Sequence, residues 1–309
     1  MDEINVRTNS AKAWLLATRP KTLTGAMVPV MIGCALAWAL HQPEVRITPM
    51  VLCMLFAMIM QVNANFVNDY FDFMKGVDDE QRLGPKRACA QGWITAPAMR
   101  RGIAFVTLLA AAVGLPLVWF GGWQMILVGF ACVVFCFLYT ISFSYIGLGD
   151  VLVLVFFGIV PVSMTYWLAA PPSTLTSIPL CVWIMSVACG LVIDTLLVVN
   201  NYRDIDGDRR SGKRTLIVRI GAKGGRWLYF ALCPIAIILV AIAAEIGDLG
   251  QWTWALPVVF YLPAHNAAAK EMKRIDKGAE LNKVLALTAR NMLLFGVSVV
   301  AGLLFNHAS

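Results

Sequence analysis

The chain has 309 residues, 59% of them hydrophobic and 14% charged, with a mean hydropathy of +0.73 and a formal net charge of +7. That balance excludes a water-soluble globular domain and puts the chain in a bilayer. The basic excess does not indicate a nucleic-acid partner, because no basic stretch is interleaved with exposed aromatics; a membrane protein accumulates such an excess in its cytoplasmic loops.

Nine apolar runs are long enough to cross about 30 Å of hydrocarbon: 22–40, 48–68, 102–120, 123–142, 151–170, 179–199, 227–246, 252–269 and 287–305. Only helices satisfy their backbone in lipid at this length, so the sequence predicts an all-α, polytopic membrane protein with about nine transmembrane helices. Arg7, Lys12, Arg19 and Lys21 precede span one, and six Lys and Arg residues follow span two. Eight more lie between spans six and seven, and six between spans eight and nine. With nine spans, 24 of the 25 Lys and Arg residues fall on one side, and only Arg46 falls on the other. The positive-inside rule then puts the N-terminus in the cytoplasm and the C-terminus outside. Ala35-Leu36-Ala37 has the look of a signal-peptidase site, but the charge separation requires the first span to stay.

The eight cysteines include no C-x-x-C pair, and all but Cys89 sit in apolar runs; they read as small core residues. The three histidines are scattered, so zinc chemistry lacks ligands.

Two inside loops, 69–101 and 200–226, concentrate Asp, Asn, Gly, Lys and Arg, and long polar loops are where function collects. They cap one domain spanning 1–309. Asn68-Asp69-Tyr70-Phe71-Asp72 matches Asn200-Asn201-Tyr202-Arg203-Asp204 at three of five positions, and a Gly followed by a Lys-Arg pair comes after each. A duplication that sets the two copies face to face accounts for this. At roughly 100° per residue, Gln61, Asn65, Asn68, Asp69 and Asp72 share one helix face. Asn200, Asn201, Asp204, Asp208 and the deeper Asp194 form a similar face, from which Asp206 points away.

Any single Asp here reads equally well as a solvated helix end, but two matching faces in two long loops do not. Opposed carboxylates repel unless cations sit between them. Mg²⁺ suits, because it takes hard oxygen ligands, keeps waters and bridges carboxylates to phosphates. Arg19, Arg82, Lys86, Arg87, Lys213 and Arg214 can neutralise phosphate charge. Acids, bases and a membrane together point to a diphosphate on a lipid tail. Asp78, in the run Asp78-Asp79-Glu80, is either a further metal ligand or part of a solvated face. Asp194 is either a substrate contact or a structural polar group.

These motifs resemble the two aspartate-rich motifs of the UbiA-type intramembrane prenyltransferases, and most nearly the branch that uses 1,4-dihydroxy-2-naphthoate. The likeness runs over nearly the whole chain. It includes Arg19-Pro20-Lys21-Thr22-Leu23, Gly84-Pro85-Lys86-Arg87-Ala88, Tyr139-Thr140, Gly147-Leu148-Gly149-Asp150 and Gly212-Lys213-Arg214-Thr215. The chain departs from the branch at Asp150, where Glu is common, and at Ile141-Ser142-Phe143-Ser144.

The resemblance implies a helical barrel around a laterally open cavity in the bacterial inner membrane, and Mg²⁺ held by Asp69, Asp72, Asp78, Asp204 and Asp208. It also implies catalytic roles for Asn68, Asp72 and Asp204, and a polar cavity that includes Asn65, Tyr139, Asn200 and Asn201. The implied reaction moves a polyprenyl group from polyprenyl diphosphate to 1,4-dihydroxy-2-naphthoate, with loss of CO₂ and diphosphate. The rivals are a relative acting on another aromatic acid such as 4-hydroxybenzoate, a CDP-alcohol phosphotransferase and a secondary transporter. The second keeps its aspartates in one contiguous motif, and the third favours ionisable groups at the midplane. Neither pattern is found here.

Overall fold

In the computed structural model, residues 6–76, 83–172 and 177–305 are described. Every regular element among them is helical. A short α1 (Ala11–Thr18) lies before α2 (Leu23–His41) and α3 (Ile47–Met74). Next come α4 (Ala96–Gly121), α5 (Gln124–Phe143), α6 (Gly149–Ala169) and α7 (Leu180–Arg203). The chain ends with the short α8 (Ile205–Arg210), α9 (Leu216–Ile246), α10 (Trp252–Ile275) and α11 (Leu281–Phe305).

Each of the nine apolar runs lies on a helix. Eight of these helices are long and apolar enough to cross a membrane, so the chain is an integral membrane protein. The ninth, α10, is long enough but more polar: His265 lies midway and Lys270, Glu271, Lys273 and Arg274 crowd its last turns. Its inner half is held by neighbours, with His265 Nε2 bonded to the Tyr229 carbonyl oxygen at 2.9 Å and Asn291 donating to the Ala264 oxygen at 2.9 Å.

Several helices outrun the apolar runs that predicted them. The run marks only the lipid-immersed length, and the helix continues into polar turns. In α3 the extra length carries Asp69 and Asp72, and α9 is preceded by a helical turn from Leu216 that a kink at Gly221 (φ 72°) sets off from the rest.

α2 and α7 form the buried centre. The largest core lies between them and α6, α9, α10 and α11, around Leu36, Tyr166, Met185 and Phe295. α6 and α7 cross at Gly158 and Gly190, where a Cβ on Gly158 would come within 2.5 Å of the Gly190 Cα. Packing is looser along α5, where Gln124–Leu138 contains no buried residue. That side is open to lipid.

One end of the bundle carries exposed Trp38, Trp119, Trp123, Trp183, Trp252 and Trp254, as an interfacial aromatic belt does. Arg46 ties this end together, its backbone N–H bonded to the Ala169 oxygen at 2.8 Å. The polar motifs gather at the opposite end.

Candidate active site

The ends of α3, α5 and α7, with α8 and the turn 276–278, enclose a polar cavity of about 690 Å³. From the first motif, Asn68 and Asp72 line it. The shared face read from the sequence is split along its length. Asn65 donates to the Thr18 oxygen and to Thr22 Oγ1, both at 2.9 Å, and Asp69 is fully buried. Its two oxygens accept the Ala88 and Cys89 backbone N–H groups at 2.8 and 2.9 Å, and Arg19 Nη2 stands 4.0 Å away. The face is about 100° wide, so its two edges meet different neighbours: one holds the N-terminal segment and the 88–89 turn, the other faces the cavity. Asn65 and Asp69 therefore face the N-terminal segment and the 88–89 turn and stand outside the cavity lining.

Asp72 is buried with Arg87, whose Nη2 donates to Oδ2 at 2.7 Å. In the second motif α7 ends at Arg203 and the backbone bends at Asp204 before α8 resumes. Buried Arg203 grips Asp204 with two bonds, Nε to Oδ1 at 2.8 Å and Nη2 to Oδ2 at 2.6 Å. The same guanidinium bonds Asn200 Oδ1 at 2.9 Å and Asn282 Oδ1 at 2.7 Å.

Asp208 lies across the cavity, 4.0 Å from Lys213 Nζ. Burial pushes its carboxyl up to about 6; Lys213 and Arg203 oppose this, and the charges of Asp204 and Asp72 reinforce it. Asp208 thus feels acids from both motifs, which meet as the sequence predicts. They do not lack counter-charge, because each cavity carboxylate of the two motifs has its own cation. Among the described residues no three acid, histidine or cysteine side chains form a ready-made metal cage. Carboxylates on facing walls with room for water and phosphate still suit Mg²⁺, which uses one or two of them and fills its octahedron with other oxygens.

Tyr139, Asn200, Asn201 and Lys213 line the cavity. Lys86 and Arg214 are exposed and outside its lining; Arg214 serves through its backbone, whose N–H reaches the Tyr145 oxygen at 2.8 Å. Asp206 sits at the rim with a side chain 65% exposed, 3.6 Å from Arg209. Asp78 and Arg82 lie outside the described residues.

Sequence reasoning missed Arg203, although an arginine in the last turn of a span is itself a signal. It also missed Asn282, which bonds both Arg203 and, through Nδ2, the Leu83 oxygen at 2.8 Å, so it ties a third loop to the first. No pattern marked it. Lys75 was missed as well: it donates to the Thr140 and Ile141 oxygens at 3.2 and 2.9 Å and stands 4.1 Å over the Tyr145 ring. Lys213 is 5.1 Å from the same ring. Burial lowers the Lys75 ammonium; Asp72 opposes this and Lys213 adds to it.

Beneath the polar cavity lies a second one of about 520 Å³, walled by Phe56, Met60, Phe135, Phe156 and Phe157. Phe130 lines it and is 68% exposed on the lipid side of α5. The two cavities share Asn68 and Tyr139. A π-helical turn over Tyr139–Phe143 shifts the register of α5 at this junction, a distortion common at functional sites. Such a space fits an amphiphile with an anionic head in the polar chamber, its tail among lipids and its first carbons at Asn68 and Tyr139.

The profile of the UbiA prenyltransferase family matches residues 26–304. The 1,4-dihydroxy-2-naphthoate octaprenyltransferase of Escherichia coli (strain K12) is 32% identical over 310 residues, covering 96% of each chain. Among solved structures, a UbiA homolog from Aeropyrum pernix K1 superposes with a TM-score of 0.70 at 15% identity, covering 92% of this chain and 98% of that one. A UbiA homolog from Archaeoglobus fulgidus bound to DMAPP and Mg²⁺ gives 0.61 at 13% identity, covering 93% and 99%. At these identities the two structures speak for the fold.

Proposed function

The chain belongs to the UbiA prenyltransferase family, and from that membership we propose that it moves a polyprenyl group from polyprenyl diphosphate to 1,4-dihydroxy-2-naphthoate, releasing CO₂ and diphosphate and giving demethylmenaquinol. It is an enzyme of menaquinone biosynthesis with Mg²⁺ as cofactor. The observation that carries the reading is the junction of a carboxylate-lined polar cavity with a lipid-open apolar one at Asn68 and Tyr139.

Asp72, Asp204 and Asp208 are the residues to hold the metal. When bound, Mg²⁺ supplies Lewis-acid withdrawal of charge from the leaving diphosphate. Arg87 and Lys213 take up phosphate charge, Arg87 through a guanidinium suited to bidentate contact, while Arg203 holds Asp204 in place. Asn68 and Tyr139 flank the allylic carbon, and the phenyl wall below keeps water from the developing cation.

The active end faces the cytoplasm of the bacterial inner membrane, a proposal supported by the 24-to-1 partition of basic residues. An impermeant thiol reagent applied to intact cells should therefore label Gly122→Cys and spare Lys213→Cys; the opposite pattern would invert the topology. The acceptor is tested by mass spectrometry of products from a panel of aromatic acids, with the protein in nanodiscs, Mg²⁺ and a polyprenyl diphosphate. Demethylmenaquinol should dominate. A product only from 4-hydroxybenzoate would move the chain to another branch, and no diphosphate release from any acceptor would favour the transporter reading.

A further inference from the structure

Two carboxyl groups near the cavity junction take no part in the two aspartate-rich motifs. Asp150 opens α6 and lines the polar cavity, and Asp194 lies on α7 with 6% of its surface exposed. Each has one side-chain oxygen out of contact with solvent and without a hydrogen-bond partner. A buried carboxyl oxygen without a partner costs several kcal/mol in principle, so it is kept where a ligand or a reaction uses it.

Their position says which ligand. Asp194 is seven residues, about two turns, from Asn201, and so lies below it on the α7 face that lines the cavity. The α6 segment that carries Asp150 packs on the α7 segment that carries Asp194: a Cβ on Gly149 would be 3.5 Å from Leu197 Cδ2, and one on Gly190 would be 2.7 Å from Leu154 Cδ1. Tyr139 lines both cavities, and a Cβ on Gly149 would be 3.8 Å from its hydroxyl. With the head group above and the tail below, the reacting allylic carbon sits beside Tyr139. The acceptor ring must come to the same place, because a new carbon–carbon bond forms only within contact distance. The groups waiting there are hydrogen-bond acceptors, and a dihydroxynaphthoate offers hydroxyl donors.

Resting on the acceptor assigned above, we propose that Asp150 receives the hydroxyl hydrogen of the acceptor ring during prenyl transfer, and that Asp194 is the positioning residue behind it. As the allylic carbon–oxygen bond breaks, the ring carbon bearing the carboxylate closes on the allylic carbon. The neighbouring hydroxyl hydrogen passes to Asp150 and that ring oxygen becomes a ketone. The carboxylate is then β to a ketone; it leaves as CO₂, its bonding pair returns to the ring, and Asp150 gives the proton back to the oxygen. One carbon–carbon bond forms, one carbon–oxygen and one carbon–carbon bond break, and no outside oxidant or base is consumed. The metal ligands lie higher in the cavity and are left free to handle the diphosphate.

The test pairs enzyme variants with acceptor analogues in nanodiscs: wild type, Asp150→Asn, Asp150→Glu and Asp194→Asn, each with 1,4-dihydroxy-2-naphthoate and with its 1-methyl ether. Positioned proton transfer is worth roughly a hundredfold or more. Asp150→Asn should lose about that in kcat on the hydroxy acceptor, with the KM for polyprenyl diphosphate and the Mg²⁺ requirement unchanged. Asp150→Glu should recover most of it, and Asp194→Asn should lose less than Asp150→Asn. On the methyl ether, wild type and Asp150→Asn should be equally slow.

The proposal is overturned if Asp150→Asn loses the same factor on both acceptors, or if its defect is a raised KM for polyprenyl diphosphate with kcat preserved. Should Asp150→Asn not fold, Asp150→Glu decides: activity on the hydroxy acceptor near wild type supports the proposal, and loss equal to that on the methyl ether overturns it. If the wild type prenylates 4-hydroxybenzoate instead, the acceptor assignment has failed separately. The same comparison with 4-methoxybenzoate then decides the role of Asp150.

Discussion

The two aspartate-rich motifs look like copies of one another in sequence, yet the structure builds their charge balance in different ways. In Asn68-Asp69-Tyr70-Phe71-Asp72 the helix runs straight on to Met74, Asp69 caps a backbone turn, and the cation for Asp72 comes from Arg87, fifteen residues later. In Asn200-Asn201-Tyr202-Arg203-Asp204 the helix stops, Asn201 faces the cavity in place of an aspartate, and the cation for Asp204 is the preceding residue. Asp208 then reaches the cavity from a separate short helix. What the two regions have in common is the outcome: a carboxylate on a cavity wall with its own arginine. Side chains offset much of the charge of the acids, and what repulsion is left falls on Asp208, which feels both Asp204 and Asp72.

The comparison is broken most severely by Asp72→Asn and Asp204→Asn. Each should lower turnover by about a thousandfold, because metal-assisted charge stabilisation is worth ~4 kcal/mol and about 1.4 kcal/mol is tenfold in rate. Their stabilities should differ. In Asp72→Asn a buried pair loses its charge at a cost of about 3 kcal/mol, both partners being under a tenth exposed, whereas the Asp204 side chain is 24% exposed and Arg203 keeps Asn200 and Asn282. Thermal unfolding of the two variants reads this difference, and equal melting temperatures would count against the separate clamps.

Asp69→Asn separates tether from metal ligand. One carboxylate oxygen becomes an amide facing a backbone N–H, so stability should fall by about 1–3 kcal/mol while the Mg²⁺ concentration for half-maximal activity stays put. A rise in that concentration would return Asp69 to the metal site. A smaller effect is expected from Lys213→Ala, which removes a charged phosphate contact and should raise the KM for polyprenyl diphosphate about tenfold with kcat nearly unchanged. The smallest belongs to Asp206→Asn, whose rim carboxylate should change steady-state rates by less than about twofold.

The sequence makes the bundle legible because lipid imposes length and polarity on every span. The weakest of the nine runs, 252–269, also lies on a helix, α10, whose His265 is held by the Tyr229 oxygen. The facing of the two motifs was legible from their duplication, and the shared face of Asn68 and Asp72, like that of Asp204 and Asp208, from helix periodicity. Periodicity gives only a face, however, and a face about 100° wide touches more than one neighbour. This is why Asn65 and Asp69 were grouped with the cavity residues. Lys86 and Arg214 were chosen for charge and proximity in sequence, and both turn outward. Asn282 was invisible because its partners, Arg203 and Leu83, are brought to it only by the closed bundle.

One Mg²⁺-dependent diphosphate site shared by the two motifs, above a lipid-open tail chamber, is tested by diphosphate release from a polyprenyl diphosphate, with acceptor present, by wild type and Asp72→Asn in the same nanodiscs, with Mg²⁺ and with chelator. Wild type should release diphosphate only with Mg²⁺, and Asp72→Asn about a thousandfold less. Release that persists in chelator, or near-normal Mg²⁺-dependent turnover by Asp72→Asn, would contradict it.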